Sequence, residues 1–236
     1  MTQLLIAGIV FLGIFTHSFT GFGLALVMMP LLSGVVGLRV AAPLVALIGL
    51  VTELIVLARY RHALNVPAVR QLALASLAGV PPGVAALSHI DEGIVLPILG
   101  LVVAAYALYA LLDLRLPEVR HSGWAWGLGF MAGLLGGAYN VSGPPVLVYA
   151  TCRRWEPAEF KGNLQGFFLL NSLAVILAHA LSHNFTAPVW DGFLVALPAI
   201  ALGALAGFSL DGRVSPARFR RVTLALLVVL GLSLIL

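Results

Sequence analysis

Charge is what this chain has least of. Only 9% of its 236 residues are Asp, Glu, Lys or Arg, against about a quarter in soluble domains. Apolar residues make up 61%, and the mean hydropathy is +1.07. No water-soluble core absorbs that much apolar sequence, so the solvent for most of the chain is lipid. There is one cysteine, Cys152. That excludes an intramolecular disulfide, and a lone thiol in an apolar run reads as packing. The start, MTQLLIAGIVF, lacks the basic stretch and cleavage site of a removed signal peptide. It reads as a first membrane segment. The net charge of +4 comes from Lys and Arg in short loops between apolar runs. That is the positive-inside pattern and excludes a nucleic-acid partner.

The apolar runs fall at roughly 3–16, 21–37, 40–58, 70–88, 94–113, 123–136, 143–153, 163–182, 192–210 and 217–236. Six are long enough to span a bilayer. Runs 3–16, 21–37, 123–136 and 143–153 are short, and they form two pairs. Each pair is joined by a Gly-rich polar break, HSFTGFG from His17 and GGAYNVSG from Gly136. A 14-residue helix rises about 21 Å, less than the ~30 Å hydrocarbon core. Short, Gly/Pro-interrupted segments in matching places point to discontinuous helices or re-entrant hairpins. Thr20-Gly21 aligns with Ser142-Gly143, and Gly79 and Gly83 align with Gly203 and Gly207. The expectation is an all-α integral membrane protein in a single transmembrane domain, 1–236. It has two inverted-topology repeats, 1–113 and 123–236. Each is a broken short-helix hairpin followed by three transmembrane helices.

Loop charges test that inversion. RYRHALNVPAVR carries Arg59, Arg61, His62 and Arg70 and reads as cytoplasmic, while its counterpart SHNFTAPVWD has no Lys or Arg and reads as outside. SHIDEG carries Asp91 and Glu92 and lies outside. Its counterpart DGRVSPARFRR, with Arg213, Arg218, Arg220 and Arg221, lies inside. The linker residues Arg115 and Arg120, and Arg153, Arg154 and Lys161 beyond the second break, also read as cytoplasmic. Arg39 alone runs against the pattern. Both termini are then extracytoplasmic.

An unwound backbone at membrane depth is tolerated only where it is buried in protein or lines a wet cavity. Glycines let backbone N–H groups approach a ligand, and helix N-termini attract anions. The second short helices are expected to begin at Gly21–Phe22–Gly23 and at Gly143, where Pro144 and Pro145 suit a first turn. Ser18, Thr20, Asn140 and Ser142 can cap those termini or donate to an oxyanion. Neither break holds Lys or Arg, so neutral donors would hold a small anion without trapping it. The candidate substrate-binding set is Ser18, Thr20, Gly21, Phe22, Gly23, Tyr139, Asn140, Val141, Ser142 and Gly143. His17, Glu53 and Asn171 are candidates for coupling or gating.

Each has a plainer reading. Ser and Thr in membrane helices bond their own backbone, and Gly marks close packing. His17 and Tyr139 pack with a hydrogen bond. Glu53, an acid well inside a span, snorkels toward Arg59. Asn163 and Gln165, and likewise His179 and His183, read as interfacial. Asn171 is mid-span and should face protein or a cavity.

With the Gly-rich breaks, NVSGPP, RRWEPAEFKGN and the closing LPAIALGALAGFSLDGRVSPARFRRVTLALLVVLGLSLI, the chain resembles the TauE/SafE sulfite exporter family over essentially its whole length. The resemblance implies export of small sulfur oxyanions, such as sulfite or organosulfonates like sulfoacetate, across the bacterial inner membrane. It places the family's Gly-rich elements at Thr20–Gly23 and Ser142–Pro145. The first break departs from the pattern in reading TGFG, without three consecutive glycines. The expected activity is secondary transport by rocking of two inverted halves, with coupling to protons a hypothesis. No enzyme activity, cofactor or metal is expected. The partners are the anion and the bilayer, and a homodimer stays open. One rival is an anion channel of the same fold. A weaker one is an intramembrane serine protease using Ser142 and His179. The breaks lack the Cys/His/carboxylate cluster a soft-metal transporter needs.

Overall fold

A computed structural model describes residues 2–113, 117–119, 121, 123–210 and 216–235. Arg115, Arg120 and Arg213, used in the charge argument, lie outside these, as do the side chains of Glu92, Arg218 and Arg220. Among the described residues the chain forms ten α-helices and a 3₁₀ turn, with no strand. In order they are α1 (Thr2–Thr20), α2 (Leu24–Val36), α3 (Leu38–Tyr60), the turn Arg61–Ala63, α4 (Val66–His89) and α5 (Glu92–Leu111). Then come α6 (Gly123–Tyr139), α7 (Gly143–Cys152), α8 (Pro157–Leu181), α9 (Ala187–Ser209) and α10 (Pro216–Ser233).

The helix starts follow local chemistry. Asn65 caps α4 by accepting from Ala68 N at 3.3 Å, and Asp91 caps α5 by accepting from Gly93 N at 2.7 Å. Proline occupies the first turn of α4, α7, α8 and α9, where its missing N–H would have no partner in any case.

Five helices are long and apolar enough to cross a membrane: α1, α3, α5, α8 and α9. With the large apolar side chains exposed on their outer faces, among them Leu12, Leu101, Leu177 and Leu205, they make this a multi-pass membrane protein. The set differs from the expected long runs. α1 joins it because the helix continues through His17, Ser18 and Phe19 to Thr20 instead of stopping near residue 16. α4, 24 residues long, keeps the length of the expected run, and the described side chains of α10 form the shorter apolar segment Arg221–Ser233.

α3 and α8 lie against each other at the centre. α4 packs on α6 and α8, α9 on α1 and α3, and α5 on α10. The tightest of these contacts are made through glycine. A Cβ on Gly79 or Gly83 of α4 would overlap the α6 backbone at Phe130 and Leu134, and one on Gly133 or Gly137 of α6 would overlap α4 at Ser76 and Val80. On the other side, a Cβ on Gly203 of α9 would come within 2.9 Å of the Phe11 carbonyl of α1. One on Gly207 would come within 2.7 Å of Ser18 Cβ. In lipid there is no hydrophobic drive between helices, so close backbone approach over small residues carries the packing.

Candidate functional site

Both breaks are three residues long. α1 ends at Thr20 and α2 begins at Leu24, leaving Gly21–Phe22–Gly23; α6 ends at Tyr139 and α7 begins at Gly143, leaving Asn140–Val141–Ser142. This corrects the wider breaks expected from sequence. Gly136 and Gly137 are helical and serve packing: a Cβ on Gly137 would overlap Val80 O, and one on Gly136 would lie 2.6 Å from Asn171 Nδ2. Counted from the helix ends, Gly21 and Asn140 are the first residues of their breaks. Gly21 has φ 84° and Asn140 has φ 56°, and glycine and asparagine are the residues that best tolerate this left-handed geometry. Gly23, at φ 97°, precedes α2.

Each left-handed residue is tied to the central helix of the other half. Gln165 of α8 donates from Nε2 to Gly21 O at 2.8 Å, and its Oε1 lies 3.1 Å from His17 Nε2. Asn140 donates from Nδ2 to Ala42 O of α3 at 2.6 Å. In the first break the central helix supplies the side chain and the break supplies the carbonyl. In the second the roles are exchanged.

A cavity of about 40 Å³ opens between the breaks, room for roughly three waters or one small ion at 10–15 Å³ each. Its walls are His17, Gly23 and the first residues of α2 (Leu24, Ala25, Leu26), then Asn140, Val141, Ser142 and Gly143. α3 adds Val45, Gly49 and Glu53, and α8 adds Phe168, Asn171 and Ser172. The first N–H groups of a helix have no intrahelical acceptor. In α2 these are the N–H groups of Leu24, Ala25 and Leu26, all residues of the cavity lining. α7 offers Gly143 N–H and then two prolines, which have none.

Of the candidate binding residues, Gly23, Asn140, Val141, Ser142 and Gly143 line the cavity, and Ser18, Thr20, Gly21, Phe22 and Tyr139 do not. Thr20 Oγ1 lies 2.8 Å from Thr16 O and 2.6 Å from Phe22 O, so its proton is taken up locally. Ser18 is buried with an unpartnered Oγ against Gly207 of α9. The Tyr139 hydroxyl donates to Val95 O at 2.9 Å, a packing role. The expected side-chain caps are absent: neither α2 nor α7 has a side-chain cap bond. The left-handed Gly23 at the α2 cap position has no side chain, and the Ser142 hydroxyl lies at the cavity wall instead.

All three coupling candidates line the cavity. His17 is 3% exposed, and its Nδ1 has no partner. Glu53 is 7% exposed; its Oε1 accepts from Ser172 Oγ at 3.0 Å, and its Oε2 has no partner. It does not snorkel to Arg59, whose guanidinium sits over the Phe208 ring at 5.0 Å. Asn171 Oδ1 accepts from Ser76 Oγ of α4 at 2.6 Å.

Three readings of α8 are corrected. Gln165 and Asn163 are fully buried, not interfacial, and Asn163 Oδ1 accepts from Asn65 N at 2.7 Å. His179 is buried, with Nδ1 2.9 Å from Asn184 Nδ2, and it does not line the cavity that Ser142 lines. Only His183 is exposed. Sequence reasoning named Gln165 only as interfacial and missed Ser172; it did expect backbone donors at the start of the second short helix, placed at Gly21–Phe22–Gly23 where the helix begins at Leu24. A glutamine within a long apolar run was a usable signal.

A membrane chain with two broken helices meeting at a small polar cavity can be set against known families. The family model for the sulfite exporter TauE/SafE family matches residues 5–234. The chain belongs to that family. It is also 29% identical over 232 residues to the probable sulfite/organosulfonate exporter TauE of Cupriavidus necator, covering 95% of this chain and 90% of that relative. No solved structure matches significantly. The family is one of exporters, which favours transport over catalysis.

Proposed function

We propose that the protein is a secondary transporter exporting a small sulfur-containing anion, sulfite or an organosulfonate, through the cavity between the two breaks. The carrying observation is the convergence there of the α2 N-terminus, Gly143 and the side chains of Asn140 and Ser142, with no Lys or Arg in either break. Backbone donors and helix dipoles complement an oxyanion and, being neutral, let it leave. The relative from Cupriavidus necator supports the cargo class.

The movement is alternating access by rocking of two inverted halves, 1–113 and 123–236. Packing supports this reading, because exchanging the halves maps the contacts onto each other. α4 on α6 becomes α9 on α1, while α3 on α8 and α5 on α10 map onto themselves. The glycine pairs Gly79/Gly83 and Gly203/Gly207 both press on the first helix of the opposite half. In the proposed setting, the bacterial inner membrane, both termini face outward.

Proteoliposomes test the function with sulfite, sulfoacetate, thiosulfate, sulfate and phosphate, with and without a pH gradient. Saturable movement of a sulfur oxyanion is expected. Ser142→Ala, at the cavity wall, should slow it, and Thr20→Ala, whose hydroxyl is engaged locally, should leave it close to wild type. If folded protein moves none of these anions, the proposal is wrong. Single-channel currents would replace the transporter by a channel, and peptide cleavage lost in Ser142→Ala would replace it by a protease.

A further inference from the structure

The cavity is two-sided. From α2 it is lined by residues that carry backbone donors at the positive end of a helix. Its lining residues include His17 of α1 and Glu53 of α3, each with one buried atom that has no hydrogen-bond partner, Nδ1 and Oε2. The bond between His17 Nε2 and Gln165 Oε1 requires the Nε2 proton, because the amide oxygen only accepts. Neutral His17 therefore carries its lone pair on the buried, unpartnered Nδ1.

Among the described residues, no Lys or Arg lines the cavity with Glu53. From α8 it meets the hydroxyl of Ser172, next to Asn171. From α1 the group at the same cavity is His17. α2 has no ionisable residue, and the one on α9, Asp191, is exposed in its first turn. Arg59, on α3 itself, lies over Phe208. Lys161 of α8 does not line the cavity; its stem lies against Gly21 of the first break and its Nζ donates to the Tyr60 hydroxyl at 3.1 Å.

Resting on the anion site proposed above, we infer that this cavity holds one negative charge at a time, so that an anion binds together with a proton on Glu53. A carboxylate and an anion confined in about 40 Å³ repel each other with little water between them to screen the repulsion. The exchange balances: one anion and one proton enter from water, Glu53 changes from carboxylate to carboxylic acid, and the cavity's net charge stays at minus one. The neutral acid can also turn its O–H toward an anion oxygen, making the unpartnered Oε2 a donor.

The test uses methanesulfonate, a permanent monoanion, so that any pH effect belongs to the protein. Binding to the purified full-length protein is measured by calorimetry in buffers of different ionisation heat. At pH values where the free protein's Glu53 is ionised, about one proton should be taken up per anion by wild type, and affinity should rise about tenfold per unit fall in pH. Glu53→Gln, nearly the same shape, should bind with pH-independent affinity and take up no proton. Wild-type binding without proton uptake at every pH up to the alkaline limit of folding overturns the inference while leaving the anion site standing. Proton uptake that persists in Glu53→Gln also overturns it and moves the proton to His17. Absence of binding to both forms removes the anion site itself, and this inference with it. The wild-type proton count needs no variant, so a misfolded Glu53→Gln does not spare the idea.

Discussion

The two breaks occupy equivalent places and are built from opposite materials. The first is a backbone device: two left-handed glycines, then a helix whose first three residues line the cavity. The second is a side-chain device: a left-handed asparagine, a serine at the cavity wall, and a helix start in which two of the first three residues are prolines. Even the ties to the central helices are reversed, with Gln165 reaching in to Gly21 and Asn140 reaching out to Ala42. Under the proposed inverted repeat, the site would be electrically one-sided: both helix starts line the cavity, but α7 has two prolines where α2 has N–H groups, so the proposed anion would lie nearer α2 than α7.

The largest expected effect is from Gln165→Ala. The fully buried Gln165 side chain serves both His17 Nε2 and Gly21 O. Its loss leaves two buried polar groups unpaired at about 1–3 kcal/mol each. Thermal unfolding in detergent should show the greatest fall in midpoint of any variant discussed, together with loss of anion binding. An unchanged midpoint would mean that the first break holds its shape without help from α8.

Next comes Ala25→Pro, which gives the first break the proline chemistry of the second. Proline is tolerated in a first helical turn, so the substitution deletes one N–H while sparing the helix. A hydrogen bond to a charged group contributes about 1.5–3 kcal/mol, so sulfite affinity should fall by roughly tenfold or more. If affinity is unchanged while the protein remains folded, the α2 end is not the anion's seat.

Much of this was legible in the sequence, for specific reasons. Ten apolar runs became ten helices because lipid demands continuous internal hydrogen bonding. The glycines were visible, yet their two tasks were not separable by type: Gly21 and Gly23 break a helix, whereas Gly136 and Gly137 let α6 approach its neighbours. Only the path of the neighbouring helix decides between those roles. Glu53 stood out as an acid in an apolar run, but Arg59 one and a half turns away offered it an equally good destination. The choice was made by Ser172, which is 119 residues distant in sequence. The donors of α2 are backbone atoms, so the glycines of the break announced a helix N-terminus but not that it starts at Leu24.

Asn140 allows a smaller test of the side-chain device. Asn140→Ala loses the bond to Ala42 O and keeps a Cβ at φ 56°. Asn140→Gly loses the same bond but relieves the left-handed cost, about 1–2 kcal/mol. Unfolding midpoints should fall for both, with alanine clearly lower. Equal midpoints would mean that the second break relaxes its backbone once the tie is cut.

Pro145→Ala carries the smallest effect and reads the comparison from the other side. It returns one N–H to the start of α7, the third residue from a break whose helix begins at Gly143. At that position the N–H still has no intrahelical acceptor. If α7 points its start at the bound anion as α2 does, the new donor should tighten sulfite binding by about two- to threefold, well short of the loss in Ala25→Pro, because it must also displace water it would otherwise bind. If affinity stays flat while Ala25→Pro weakens it, the anion lies against α2 alone. If Pro145→Ala strengthens binding as much as Ala25→Pro weakens it, the two ends contribute alike and the asymmetry of the breaks has no electrical meaning.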